Sequence, residues 1–436
     1  MTGSQVGLLS VVAILALIYS GLYVPIALGL VSFVAVWILR DSLEAPIYLL
    51  TLAASDSLED YVFGVIPLFV LMGLLVSESG IGKDIYDVAN YALRKLKGGL
   101  GVATVAANAA FAAITGVSIA SAAVFTRVSV PEMLRFGYRP RFAVGVVAGS
   151  SVLGMLIPPS VMLIIYALIT EQSVGDLFKA GIVPGILLAT AYSIAIVIMA
   201  IFFPGFVGRP TADAAQARRI PPGILLGKTS PLVILALLVL GGIYGGVFTP
   251  TEAGAVGALG ALVIAIVKRK LDRHVLWRVL VETGHITASI LLLIVAATMY
   301  SRMLALSGLP NELADWIVRT DVPLFGILAI YVAILILMGT ILDTTSIILI
   351  MVPLFLPIIA PYDVNLVWFG IITIVGAEIG LLTPPLGIAC YVIKSTLADQ
   401  DITLGDIFAG ALPFAIIMLL VLVVLMAFPS LSLLPV

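Results

Sequence analysis

Gly154–Val161 reads GMLIPPSV, and Gly380–Gly387 reads GLLTPPLG. Each sets two adjacent prolines inside a long apolar run, where a proline removes an amide donor and crowds the carbonyl one turn back. The copies stand at corresponding places in the two halves of the chain, and other matches keep nearly the same spacing. Pro131 and Pro357 precede their double prolines by equal lengths of chain. GDLFKAGIVPG from 175 recurs as GDIFAGALPF from 405, SGIGKD from 79 resembles SGLPNE from 307, and GLYVP from 21 resembles GVFTP from 246. Chance likeness between hydrophobic segments explains this poorly, because prolines and Gly-Asp pairs are scarce in such runs. The chain reads as two repeats, 1–215 and 229–436, joined by a polar linker at 216–228.

Composition sets the solvent. The 436 residues are 62% hydrophobic and only 11% charged, with a mean hydropathy of +1.23, far outside the soluble range. Apolar runs near 6–39, 61–77, 99–133, 141–170, 176–203, 229–267, 284–305, 322–361, 364–396 and 406–430 fit helices in a bilayer core ~30 Å thick. Barrel strands would alternate apolar and polar residues, and these runs do not. An all-α polytopic membrane protein is expected. MTGSQVGLLS has neither a basic stretch nor a cleavage site after a short apolar core, so the first helix is expected to insert without removal. The single cysteine, Cys390, excludes an internal disulfide or a cysteine metal cluster. A net charge of −2 says little about partners; the bilayer itself is one, and no nucleic acid is expected.

Basic residues collect on the cytoplasmic side of short loops. If the segment 209–228 is cytoplasmic, Lys83, Arg94, Lys95, Lys97, Arg127, Arg135, Arg139, Arg141, Lys268, Arg269, Lys270, Arg273, Arg278 and Lys394 share its side. With Arg209, Arg218, Arg219 and Lys228 they make 18 of the 22 Lys and Arg. The count works only for inverted repeats: Lys83 to Lys97 lie inside, while Glu312, Asp315 and Asp321 of the partner segment lie outside. Inverted repeats with interrupted helices are a transporter architecture, with binding near the midplane.

Two kinds of interruption recur. The runs 99–133 and 322–361 are split by AAITGVSIASAA and MGTILDTTSII, and each half is too short to cross a bilayer comfortably at the rise of an α-helix. Re-entrant hairpins are expected, with Thr115, Gly116 and Ser118 at one tip and Gly339, Thr340, Asp343, Thr344, Thr345 and Ser346 at the other. Irregular backbone at membrane depth must be packed in protein or line a wet cavity. The runs 141–170 and 364–396 are broken at Pro158 and Pro384. Carbonyls freed there suit a small cation, and amides opening the next half-helix suit an anion. Ser150, Ser151 and Ser160 stand near the first break, Glu378 and Thr383 near the second. An intramembrane carboxylate is costly and usually functional. Asp343 therefore has three open roles: cation ligand, proton relay, or cap of the second hairpin helix, which the order Asp-Thr-Thr-Ser also suits. Glu378 is similar, with a solvent-facing position also open to it.

Other signals carry less. PPGILLGKTS from 221 has proline where a phosphate loop needs glycine, and no strand precedes it. GVSIAS does not match the G-x-S-x-G elbow of a serine hydrolase, and His274 and His285 fall near the cytoplasmic connection, far from Ser118. No enzyme is expected.

In combination, FAAITGVSIASAA, VPEMLRFGYRPRFAVGVVAGSSVLGMLIPPS, ILDTTSIILIMVPLFLPI and GLLTPPLG resemble the large membrane subunit, DctM-like, of tripartite ATP-independent periplasmic (TRAP) transporters. The resemblance covers essentially the whole chain. It implies an elevator-type secondary transporter with a scaffold and a moving transport domain, driven by sodium ions and set in a bacterial or archaeal cytoplasmic (inner) membrane. It also implies a small Q-type membrane subunit, expected here as another polypeptide, a periplasmic substrate-binding protein, and a small organic anion as cargo. One departure matters: the first tip usually reads Gly-Ser-Ser and here reads Gly116-Val117-Ser118.

On this reading one sodium lies between Thr115, Gly116 and Ser118 and the break at Ser150, Ser151 and Pro158. The second lies between Gly339, Asp343 and Thr344 and the break at Thr383 and Pro384. The substrate carboxylate lies between the tips, near Ser118, Ser121, Ser160, Thr345 and Ser346. The alternative is a stand-alone sodium- or proton-coupled organic anion symporter of similar fold.

Overall fold

The computed structural model describes residues 1–59, 61–208, 221–397 and 401–436. The linker residues 209–220 lie outside this set. Among the described residues the chain is helical, without a strand.

The apolar run 6–39 folds as two helices, α1 (Gly3–Tyr19) and α2 (Val24–Arg40), rather than one. Gly21 turns the chain at φ +93°, and Pro25 opens α2, where its missing amide is harmless. Then come α3 (Glu44–Glu59), α4 (Val65–Glu78) and α5 (Ile81–Leu93). The first hairpin is α6 (Gly99–Thr115) and α7 (Ser118–Arg135). The first broken helix is α8 (Pro140–Leu156) and α9 (Val161–Thr170), bent by 41°, and α10 (Val174–Phe202) follows. After the linker come α11 (Pro222–Tyr244), α12 (Pro250–Val267) and α13 (Arg273–Ser307), then α14 (Leu309–Thr320). The second hairpin is α15 (Leu324–Gly339) and α16 (Thr344–Ile359). The second broken helix is α17 (Leu366–Leu381) and α18 (Ile388–Thr396), before α19 (Leu404–Ala427).

Corner, hairpin, broken helix and closing helix thus recur in the same order after α4 and after α13. The matched motifs SGIGKD and SGLPNE are the corners. Gly80 (φ +77°) and Gly308 (φ +72°) take the left-handed conformation that glycine adopts at no steric cost. Past these corners run α5, bent 63° from α4, and α14.

Among the described residues six helices are long and apolar enough to cross a membrane, or up to eight if each bent pair is one span. Packing separates them where composition does not. Little of α11 is buried, with Leu235 its buried residue before a π-helical turn at Leu237–Gly241, as a lipid-facing helix requires. In α17 every residue from Val367 to Leu381 is buried. α13 packs along α2, α3 and α4, and α12 along α4, while hairpins and broken helices pack on one another and on α10 and α19. The tightest crossing joins the two repeats: a Cβ on Gly145 of α8 would clash with the Gly410 backbone of α19. Only glycine allows such backbone-to-backbone approach. The same pair of helices carries the Arg141–Asp406 ion pair, 2.6 Å.

Candidate functional site

Each hairpin tip is seated on the break of its own repeat. In the first, Gly116 turns left-handed at φ +65°, and a Cβ there would collide with the Pro159 carbonyl oxygen. The Val161 amide, opening α9, donates to the Gly116 carbonyl at 3.3 Å. In the second, the amide of Gly387, which holds the place of Val161 in the second motif, donates to the Thr340 carbonyl at 3.3 Å, joined by Leu386 N at 3.0 Å. Both Pro-Pro bonds are cis. Gly339 lies against α17, where its Cβ would come within 2.8 Å of Ala377 O and Gly380 Cα. The first break is buried at Pro158, Pro159 and Ser160, whereas Pro384, Pro385 and Leu386 are exposed.

The tips also reach across to the other repeat. Ser118, the first residue of α7, donates through Oγ to Glu378 Oε2 at 3.2 Å. Thr344, the first residue of α16, donates through Oγ1 to Glu378 Oε1 at 2.8 Å. Thr345 Oγ1 meets Met162 Sδ, just past the first break, at 3.5 Å. Glu378 is wholly buried, not facing solvent, and is the residue that joins both tips.

The remaining sequence candidates occupy distinct positions. Asp343 caps α16, accepting from Ser346 N at 3.2 Å and from the Ser346 hydroxyl. Thr115 and Thr383 turn their hydroxyls onto their own helices, at Phe111 O and Ile379 O. Ser151 does the same at Ala148 O. Ser160 caps α9, accepting from Leu163 N and donating to Met155 O, so one carbonyl expected to be free at the first break is taken. Ser150 donates to Val146 O and accepts from Asn108 Nδ2 at 2.6 Å.

Among the described residues ten buried side-chain oxygens lack a partner, and two of them belong to the first hairpin close to the residues above: Ser121 Oγ, one turn beyond Ser118, and Asn108 Oδ1, whose amide nitrogen meets Ser150. Asn108 is absent from the sequence reading, and its only signal there is a lone amide in the small-residue run VAANAAFAAITG. Unpartnered buried acceptors are rare and call for a ligand or water. The tips and breaks thus converge on a cluster of hydroxyls, carbonyls and one carboxylate. These are hard oxygen donors suited to a small alkali cation, beside helix N-termini suited to an anion.

The family model for the DctM component of tripartite ATP-independent periplasmic transporters matches residues 11–431. The chain belongs to this family. Relatives include the C4-dicarboxylate TRAP transporter large permease protein DctM of Pseudomonas aeruginosa, 34% identical with 87% of each chain covered. The sialic acid TRAP transporter large permease protein SiaM of Vibrio cholerae is 31% identical with 96% of each covered. The 2,3-diketo-L-gulonate TRAP transporter large permease protein YiaN of Escherichia coli is 30% identical with 85% of each covered. The fold is also similar to the Alcanivorax borkumensis YdaH transporter, with a TM-score of 0.59 at 17% identity over 90% of this chain and 89% of that one. This DctM-family chain is therefore a TRAP transporter large permease subunit, a multi-pass membrane protein and not an enzyme.

Proposed function

We propose that this large permease imports a small organic anion at the junction of its two hairpin tips, driven by the sodium gradient. The observation that carries this reading is the convergence of both tips and both breaks on oxygen donors, with orphaned acceptors at Ser121 and Asn108. Sodium would be held by oxygens of Thr115, Gly116, Ser118 and the Ser150–Pro158 segment on one side. On the other side Gly339, Thr344 and the Thr383–Pro384 segment would hold it. Asp343 acts there as the cap that orders the tip.

The substrate carboxylate would lie between the starts of α7 and α16, where amides and helix dipoles favour negative charge. Its contacts would be the hydroxyls of Ser121, one turn beyond Ser118, and Thr345, next to Thr344 at the start of α16. The relatives' cargoes are named as a C4-dicarboxylate, sialic acid and 2,3-diketo-L-gulonate, all small carboxylates, which supports this class here. The partners are a small membrane subunit and a periplasmic binding protein. The repeats are inverted, the 209–228 linker is cytoplasmic, and the hairpins and broken helices move as an elevator against α1–α4 and α11–α13. Sodium ordering both tips would pre-form the anion site, so each ligand raises the affinity for the other.

The test is uptake of labelled C4-dicarboxylate, sialic acid and 2-oxo acids into proteoliposomes holding both membrane subunits. Uptake is expected only with an inward sodium gradient and added binding protein. Undiminished uptake in potassium-only buffer sinks the sodium coupling, and uptake without the binding protein favours a stand-alone symporter.

A further inference from the structure

Glu378 engages no ion pair among the described residues, and its two oxygens are held by two hydroxyls. Those hydroxyls come from equivalent places: Ser118 and Thr344 are each the first helical residue after a tip. A hydroxyl has one donor and two acceptor lone pairs. With the donor directed at the carboxylate, both oxygens keep their lone pairs for whatever enters between the tips. The carboxylate therefore does two things at once. It fixes the distance between α7 and α16, and it fixes which way both hydroxyls point.

We propose that Glu378 is the positioning residue that makes the two hairpin tips a single unit, so that binding at either tip is transmitted to the other through its carboxylate. This rests on the reading that cations bind at the tips, but the link between the tips is testable without it. Glu378→Gln keeps shape and volume while replacing one acceptor oxygen by an NH2 donor. The hydroxyl facing that group must then turn round and accept, so one tip loses its orientation. Glu378→Asp keeps the charge but withdraws it by one methylene, too far to reach both tips.

The experiment uses the full chain with its small subunit in detergent and reads unfolding temperature. In sodium-free potassium buffer, Ser118→Ala, Thr344→Ala and the double variant form a cycle, repeated in the Glu378→Gln background. With Glu378 present, the second alanine is expected to lower the unfolding temperature by less than half of what it does alone. With Gln at 378, the two losses are expected to add. The second readout is a sodium titration of the unfolding temperature. It is expected to be steeper than one-site binding for the native chain and to fall to one-site steepness in Glu378→Gln and Glu378→Asp, which a purely structural role would leave unchanged.

Additive losses in the native background overturn the proposal, as does a titration whose steepness survives both substitutions. If the native chain does not respond to sodium, the sodium reading fails on its own and the potassium-buffer cycle still decides the link. Should Glu378→Gln not fold, the cycle in the native background and Glu378→Asp carry the decision.

Discussion

Gly116→Ala puts the seating of the first tip to the test. Two effects oppose the substitution. The residue sits at φ +65°, where an L side chain costs roughly 1–2 kcal/mol. The added Cβ would also clash with the Pro159 carbonyl oxygen and sit 3.3 Å from Ser160 Cα. Both neighbours are backbone, so no rotamer change relieves the crowding. Withdrawing the tip would break the bond from Val161 N to Gly116 O, a loss of about 0.5–1.5 kcal/mol. Together these give roughly 1.5–3.5 kcal/mol, or on the order of 10- to 400-fold in the population of the seated tip.

The assay is thermal unfolding in detergent, with Gly284→Ala as control. Gly284 lies exposed within α13 with nothing near its absent Cβ, so alanine there is expected to stabilise by about 0.5–1 kcal/mol. Opposite signs at the two glycines are expected. An unchanged unfolding temperature for Gly116→Ala, or an equal loss at Gly284→Ala, would refute the seating of Gly116 on Pro159.

Ser160→Ala removes the cap on Leu163 N and leaves Met155 O unpaired inside the membrane, a loss of about 1–3 kcal/mol by denaturant unfolding. Ser160→Thr is expected to recover most of it. Asp84 joins Lys228 of α11, 3.4 Å away, to Lys268 at the end of α12, and Asp87 also binds Lys228. Asp84→Asn is expected to lower stability by about 1 kcal/mol or less at low ionic strength, shrinking as salt screens the partly exposed pairs; a loss independent of salt would assign it to packing instead.

The double prolines and the split runs were readable because each breaks a regular pattern at residues whose backbone chemistry is unusual. What sequence spacing could not supply was which side chains meet across the repeats. Glu378 lies on α17, a helix apolar around its whole circumference, so no polar face told inside from outside, and its burial follows only from packing on every side. Ser150 and Ser160 read as candidate ligands, yet a hydroxyl donates to a nearby carbonyl as readily as it binds an ion, and both do so here. Asn108 escaped notice because its partner, Ser150, is distant in the chain and meets it only through the fold. The run 6–39 hid a turn at Gly21, since apolar composition continues through a short connection between two membrane helices.

The repeats are matched in backbone and unmatched in charge. Val161 and Gly387 make the same bond to their tips, yet the place that Glu378 holds in the second repeat is taken in the first by Val152, also fully buried. Burying one carboxylate without a counter-charge is already expensive, and two facing the same tips would add mutual repulsion. One carboxylate serving both tips avoids the second desolvation, but it places the shared charge in one repeat only. A recurring backbone arrangement with a single carboxylate is asymmetric in charge. The second break is exposed at Pro384–Leu386 where the first is buried at Pro158–Ser160, so the asymmetry extends from the carboxylate to the breaks.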